Sequence, residues 1–178
     1  MWHPGLLAKL ARVGIAGNLL AWFENYLTNR QQRVVINGQT SSWGKVSAGV
    51  PQGSVLGPLL FLVYINDVTH AVEHSQVRLF ADDTILYLFV DNPVADAIAL
   101  NKDLANLSDW ASEWLVKFSP SKTKTMIMTR KRKKPKHPKL CMAGTVLNDV
   151  TAHKHLGVTL ANDLTWNEHI EDVATRAS

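Results

Sequence analysis

Val77-Arg78-Leu79-Phe80-Ala81-Asp82-Asp83-Thr84-Ile85-Leu86-Tyr87-Leu88-Phe89 sets two adjacent carboxylates between two apolar runs. The flanks are rich in β-branched and aromatic residues, so they read as strands, with Asp82 and Asp83 at the tip of a hairpin. Neighbouring carboxylates repel, and placing them beside apolar strands is unfavourable unless something neutralises the pair. A hard divalent cation such as Mg²⁺, which prefers oxygen ligands, is the simplest neutraliser. A solvated acidic turn satisfies the same residues, because Asp is a common turn residue. The short motif alone does not choose between these readings.

A second signal lies upstream, in Gly49-Val50-Pro51-Gln52-Gly53-Ser54-Val55-Leu56-Gly57-Pro58-Leu59-Leu60. Its glycines at 49, 53 and 57 are spaced four apart, which suits either close helix packing or close approach of the backbone to a ligand. The segment is not a nucleophile elbow, because serine directly follows Gly53.

Together the two segments resemble the reverse transcriptases of non-LTR retrotransposons, the jockey-like elements in particular. The resemblance continues through Tyr64-Ile65-Asn66-Asp67, Trp110, Lys122-Thr123 and His155-Leu156-Gly157-Val158, so it covers nearly the whole chain in order and spacing. It implies an RNA template, a DNA primer, deoxynucleoside triphosphates and Mg²⁺, with Mn²⁺ able to substitute. Asp82 matches a metal-binding catalytic aspartate, and Asp83 its neighbour, which supports the site electrostatically. Phe80 matches the aromatic position beside the primer terminus. Gln52 and Gly53 match the loop that approaches the nascent base pair and template. Lys122 matches a lysine that protonates or neutralises departing pyrophosphate, with an ordinary surface lysine as the alternative. His155, Leu156 and Gly157 match the primer grip, a turn that seats the primer backbone.

The same resemblance divides the chain into a partial polymerase palm over residues 1–160, with a fingers-side hairpin region at 18–47, and the truncated start of a thumb at 161–178. Trp2-His3-Pro4-Gly5-Leu6-Leu7 matches the stretch just after the first catalytic motif. The first metal-binding aspartate of the family is therefore expected about eight residues before Met1, and two-metal chemistry requires it. The expectation is a reverse transcriptase fragment inactive by itself. A catalytically dead nucleic-acid-binding module derived from a retroelement is the alternative.

Length and composition agree with one globular domain: 46% hydrophobic and 19% charged residues are unlike a disordered chain. No signal-peptide pattern opens the sequence. The longest apolar run, residues 55–65, is too short for a membrane span. An intracellular protein, nuclear or cytoplasmic, with no membrane partner is expected. The lone Cys141 excludes an internal disulfide. A zinc site from Cys141, His153 and His155 lacks a fourth ligand and a familiar spacing.

Charge is uneven. Residues 130–139 (RKRKKPKHPK) hold seven of the 19 Lys and Arg residues and no acid, leaving 12 basic against 15 acidic residues elsewhere. Arg130, Lys131, Arg132, Lys133 and Lys134 suit contact with a nucleic-acid backbone. A nuclear import signal or a solvated loop fits the same composition.

Periodicity supplies the remaining elements. Residues 4–13 have helical spacing, with Pro4 in the first turn. Asn18 can cap a second helix with Leu19, Leu20, Trp22, Phe23, Tyr26 and Leu27 on its apolar face. Residues 31–36 and 39–46 read as strands around a tight turn at Asn37-Gly38. Ser54 caps a buried helix running towards Val72, and Asn92-Pro93 opens another lasting to about Val116. That helix places Ile98, Leu104, Leu107, Trp110, Ala111 and Trp114 on one core face. Strands are expected at 125–129, 140–142, 146–147 and 154–160, and a helix from Thr165. Helices and strands mix without regular βαβ alternation, so an α+β fold is expected, with helices covering one face of an antiparallel sheet.

Overall fold

The computed structural model describes residues 1–177 and divides into two compact units. The first comprises residues 1–72, 77–86 and 109–117; the second comprises 73–76, 87–108 and the described residues from 118 onward.

In the first unit, α1 (His3–Arg12) opens with Pro4 in its first turn, where a missing N–H leaves no hydrogen bond unmade. Its Leu6 and Leu10 are buried. Helix α2 (Gly17–Leu27) starts two residues earlier than a cap at Asn18 predicts: Ala16 is the capping position and makes no side-chain bond. Phe23 and Leu27 enter the core, whereas Leu19 and Trp22 of the expected apolar face stand half exposed.

The strand pair expected next is a ribbon in four short pieces. Strand β1 (Gln31–Gln32) pairs with β4 (Gly44–Lys45), and β2 (Val35–Ile36) pairs with β3 (Gln39–Thr40), both antiparallel. Asn37 and Gly38 form its tip at φ 48° and 78°, the positive values that a two-residue hairpin turn of this hand requires.

Helix α3 (Leu56–Ile65) passes into a 3-10 helix at Asn66–Ala71. Val55 occupies the backbone capping position, yet Ser54 does the chemical work, its Oγ accepting from the Gly57 N–H at 3.1 Å. Strands β5 (Gln76–Phe80) and β6 (Asp83–Tyr87) follow as a hairpin.

Helix α4 (Pro93–Glu113) is capped as expected: Asn92 Oδ1 accepts from the Val94 and Ala95 N–H groups at 3.1 Å. Leu104, Leu107, Trp110, Ala111 and Trp114 are buried, but Ile98 is 61% exposed. Ala97, Leu104 and Ala111 recur every seventh residue and mark the buried stripe; Ile98 lies about 100° around the helix from it.

The second unit adds β7 (Lys124–Thr125), β8 (Cys141–Met142), β9 (Thr145–Val146), β10 (Asn148–Asp149), β11 (Ala152–His155), β12 (Val158–Ala161) and α5 (Asn167–Ala177). The strand expected over 125–129 is only two residues long, and the one expected over 154–160 is a hairpin, β11 against β12. Leu140, Met142, Leu147 and Ala161 are buried in this unit with Ala97, Leu104 and Leu107 of α4.

The fold is mixed helix and strand, as expected. Among the described residues, however, the strands form two-stranded pairs instead of one sheet. These are antiparallel except for β7 and β10, which run parallel; the two-residue link of β5 and β6 admits only the antiparallel arrangement.

Candidate active site

The acidic pair lies at a hairpin, with the turn one residue earlier than expected. Ala81 and Asp82 form the turn between β5 and β6, and Asp83 is the first residue of β6; both carboxylates are exposed. Ala81 has φ 51°, in the left-handed region. For a residue with a Cβ this costs about 1–2 kcal/mol; six other described non-glycine residues, among them Ala143 and Leu156 in hairpin turns, adopt the same region. Along β5, Val77 and Leu79 are half-buried while Gln76, Arg78 and Phe80 face outward. Phe80 therefore stands in a polar row, 63% exposed, beside the carboxylates it precedes in sequence.

The glycines of the loop serve two structural purposes. Gly49 and Gly53 adopt φ 86° and 80°, with open space where a Cβ would stand. Gly57 is a packing glycine, since a Cβ there would lie 3.1 Å from Ser54 Oγ. Gln52 and Gly53 form an exposed turn. The loop is tied down on its upstream side: the Gly49 N–H donates to the Met1 carbonyl at 2.7 Å, and His3 Nε2 lies 2.7 Å from the Gly49 carbonyl. Phe80, Asp82, Asp83, Gln52 and Gly53 all belong to the first unit.

The other expected residues belong to the second unit. Lys122 is exposed on a turn whose Lys122 and Thr123 N–H groups both donate to the Ser119 carbonyl at 3.0 Å. His155 ends β11, and Leu156 and Gly157 form the turn into β12 at φ 48° and 84°. Arg130, Lys131, Arg132, Lys133 and Lys134 are exposed in a stretch without helix or strand.

Among the described residues, no group of three or more His, Cys, Asp or Glu side chains could hold a metal ion. Asp82 and Asp83 supply two carboxylates from one backbone segment, and a pair of metal ions has to be held from several.

Two buried charges have no counterpart in the sequence reading. Lys9 is 3% exposed, and its ammonium donates to the Tyr64 carbonyl at 2.6 Å and to Asp67 Oδ1 at 2.5 Å. Burial holds this lysine below its ordinary range, while Asp67 pulls in the opposite direction. Asp103, wholly buried on α4, accepts from the N–H groups of Glu73, His74 and Ser75 and from the Ser75 hydroxyl. Burial pushes its carboxyl up, but these bonds outweigh it and hold the group below the usual carboxylate range. Each has a signal in the sequence: Lys9 stands three residues after Leu6 on α1, and Asp103 four before Leu107 on α4, spacings that share a buried face.

The family model described as reverse transcriptase (RNA-dependent DNA polymerase) matches residues 1–160, and the chain belongs to that family. Within it the kinship is with non-LTR retrotransposons. The chain is 32% identical, over 97% of its length, to the RNA-directed DNA polymerase from mobile element jockey of Drosophila melanogaster. It is 33% identical over 99% of its length to the probable RNA-directed DNA polymerase from transposon X-element, and 31% identical over 99% to that from transposon BS, both of the same fly. It covers 19%, 20% and 20% of those three proteins, about a fifth of their length. No helix among the described residues is long and apolar enough to cross a membrane.

Proposed function

We propose that this chain is the part of a retrotransposon RNA-directed DNA polymerase that carries the Asp82-Asp83 segment of the palm, the template-side loop and the primer-seating turn. The observation that supports this most is the hairpin at Ala81–Asp83. Its turn, with Ala81 at φ 51°, sets Asp82 between the ends of β5 and β6. Both carboxylates of the turn are exposed and so open to a ligand.

In this reading, an RNA template directs addition of deoxynucleoside triphosphates to a DNA primer. The primer hydroxyl attacks the α-phosphorus in line, and Mg²⁺ (or Mn²⁺) is the ion of the reaction, as reverse transcriptases generally use divalent metals. Two ions, when bound, stabilise the attacking and leaving oxygens. Asp82 would present a metal-binding carboxylate, Asp83 would reinforce the negative field, and Phe80 would lie beside the primer terminus. Gln52 and Gly53 would approach the nascent base pair, with the Gly53 backbone free of any Cβ that would hold a ligand off. Lys122 would meet the departing pyrophosphate, and His155-Leu156-Gly157 would seat the primer backbone. Asp82 and Asp83 do not fit a complete two-metal centre unaided, so the 178-residue chain is expected to be inactive alone.

The test is a chimaera in which a related element supplies flanking sequence on both sides, assayed for primer extension on RNA beside the same protein carrying Asp82→Asn. Extension that depends on Asp82 is expected. Equal, background-level extension by both, in a chimaera that folds, overturns the catalytic reading.

A second reading, a nucleic-acid-binding module without catalysis, is favoured by the exposed cations at 130–134. The same stretch suits a nuclear import signal, which leaves nucleus or cytoplasm as the site of action.

A further inference from the structure

We propose that the ribbon β1–β4 and the adjoining end of α2 form a stacking platform for single-stranded nucleic acid. This rests on the reading above that the chain handles nucleic acid, and it assigns the unpaired strand to a definite surface.

Every residue from 31 to 45 in the first unit is exposed, including Trp43 at 59%. A two-stranded ribbon with nothing against it is marginally stable in water, so its aromatic and apolar side chains have a use for their exposure. Arg33 sets its guanidinium 4.7 Å from the centre of the Trp43 ring, leaving more than half of that tryptophan open. At the foot of the ribbon the arrangement repeats: Arg30 lies 5.8 Å from the centre of the Tyr26 ring, and Tyr26 stacks on Trp22 at 5.6 Å and 10°. Trp22 is itself 50% exposed.

The charge fits a polyanion. No acid occurs between Glu24 and Asp67, while Arg30, Arg33 and Lys45 all fall in that interval. None of the ion pairs among the described residues involves these three cations. Exposed aromatic rings interleaved with uncompensated arginines are the combination that single strands use, because every base offers a face for stacking and every linkage a phosphate. Duplexes hide those faces, so the platform should prefer unpaired strands. A protein partner would use the apolar residues equally well but has no need of three cations without counter-charges.

The experiment uses the 178-residue chain and a fluorescein-labelled single-stranded RNA of about 12 nucleotides, a length in the range that single-strand-binding folds occupy. An RNA duplex of the same length serves as comparison. Fluorescence anisotropy should show preference for the single strand, and tryptophan emission should be quenched on binding. Trp43→Ala should weaken single-strand binding about fivefold or more and remove most of the preference over duplex. Arg33→Gln, a milder surface change, should weaken it less and lower the slope of log affinity against log salt by about 0.7. Thermal unfolding identifies any variant that fails to fold, and Trp22→Ala then replaces it.

Wild-type affinity in folded Trp43→Ala and Arg33→Gln overturns the platform, as does equal binding of duplex and single strand. Complete absence of RNA binding by the wild-type chain overturns it too. Failure here leaves the polymerase reading intact, because that reading is judged by Asp82-dependent extension in the chimaera.

Discussion

Lys9 ends with its ammonium 3.9 Å from the centre of the Trp114 ring, in the core of the first unit. Trp110 and Tyr64 add rings at 4.7 and 4.9 Å, and Asp67 supplies the counter-charge. The Tyr64 hydroxyl donates to the Trp114 carbonyl, which closes the group of residues around the cation. Three segments distant in sequence, α1, the α3 end and the α4 end, thus meet on one buried charge.

Removing only the cation should therefore be costly. Lys9→Ala leaves the Asp67 carboxylate with only one donor among the described residues, the Trp110 indole N–H at 3.2 Å, and opens a void, and breaking a buried pair costs about 3–5 kcal/mol. Asp67 keeps 29% side-chain exposure, so the lower end of that range is expected. Lys9→Met with Asp67→Leu should recover most of the loss, since well-packed apolar replacements of buried pairs are often neutral. Urea unfolding midpoints of the two variants decide the matter. Equal loss in both would mean that packing, and not charge, dominates.

Asp103 fixes the chain just before β5 by holding the Glu73, His74 and Ser75 N–H groups. Asp103→Asn keeps the shape but exchanges a carboxylate oxygen for an amide NH₂ that cannot accept, so a loss of about 1.5–3 kcal/mol is expected. The pH dependence has a definite sign. The folded-state carboxyl is held below the unfolded value, so its contribution is complete above about pH 4 and is lost as pH falls through and below that value. The unfolding free energy of the wild type should decline over that acidic window more steeply than that of Asp103→Asn. Parallel pH profiles would remove Asp103 as the cause.

At the hairpin tip, Ala81 at φ 51° gives a prediction about strain. Ala81→Gly relieves the left-handed cost but loosens the unfolded chain, so stability should change by no more than about 0.5–1 kcal/mol. Ala81→Val puts a β-branched residue into the same conformation and should cost about 1–3 kcal/mol. Thermal or denaturant unfolding measures both. A neutral Ala81→Val would mean that the turn rearranges freely.

Much of this arrangement is legible in the residues. The Asn37-Gly38 tip and the Asn92 cap each follow from local chemistry, because a side-chain acceptor or a positive φ is needed at one position; the turn at Ala81-Asp82 does not, because alanine carries no preference for positive φ. Ile98 departs from expectation because apolar character says nothing without its angular position on α4. The stretch 154–160 is a hairpin and not one strand because Leu156-Gly157 is a turn signal inside an apolar run, and the turn prevails over the run. Lys9 and Asp103 are invisible as partners because they act across 58 and about 30 residues of sequence, and no local pattern encodes a pairing at that separation. The grouping of Phe80, Asp82, Asp83, Gln52 and Gly53 in one unit likewise depends on tertiary packing.

The exposed stretch at 130–134 leads to a prediction about salt. Five cations in succession without helix or strand can follow phosphates, but offer no rigid framework for reading base edges. Replacing Lys131, Arg132, Lys133 and Lys134 together by Gln should weaken binding to every RNA sequence by a similar factor. Each phosphate no longer neutralised should flatten the slope of log affinity against log salt by about 0.7 for a single strand. Stability should be unchanged, because none of the four side chains is buried. Preference for single strand over duplex should also survive, since it is assigned to the rings of Trp43 and Trp22. Anisotropy titrations at several salt concentrations, on single-stranded and duplex RNA, separate the outcomes. An unaltered salt slope would move the phosphate-binding cations away from this stretch, and an abolished strand preference would mean that the stretch itself recognises unpaired RNA.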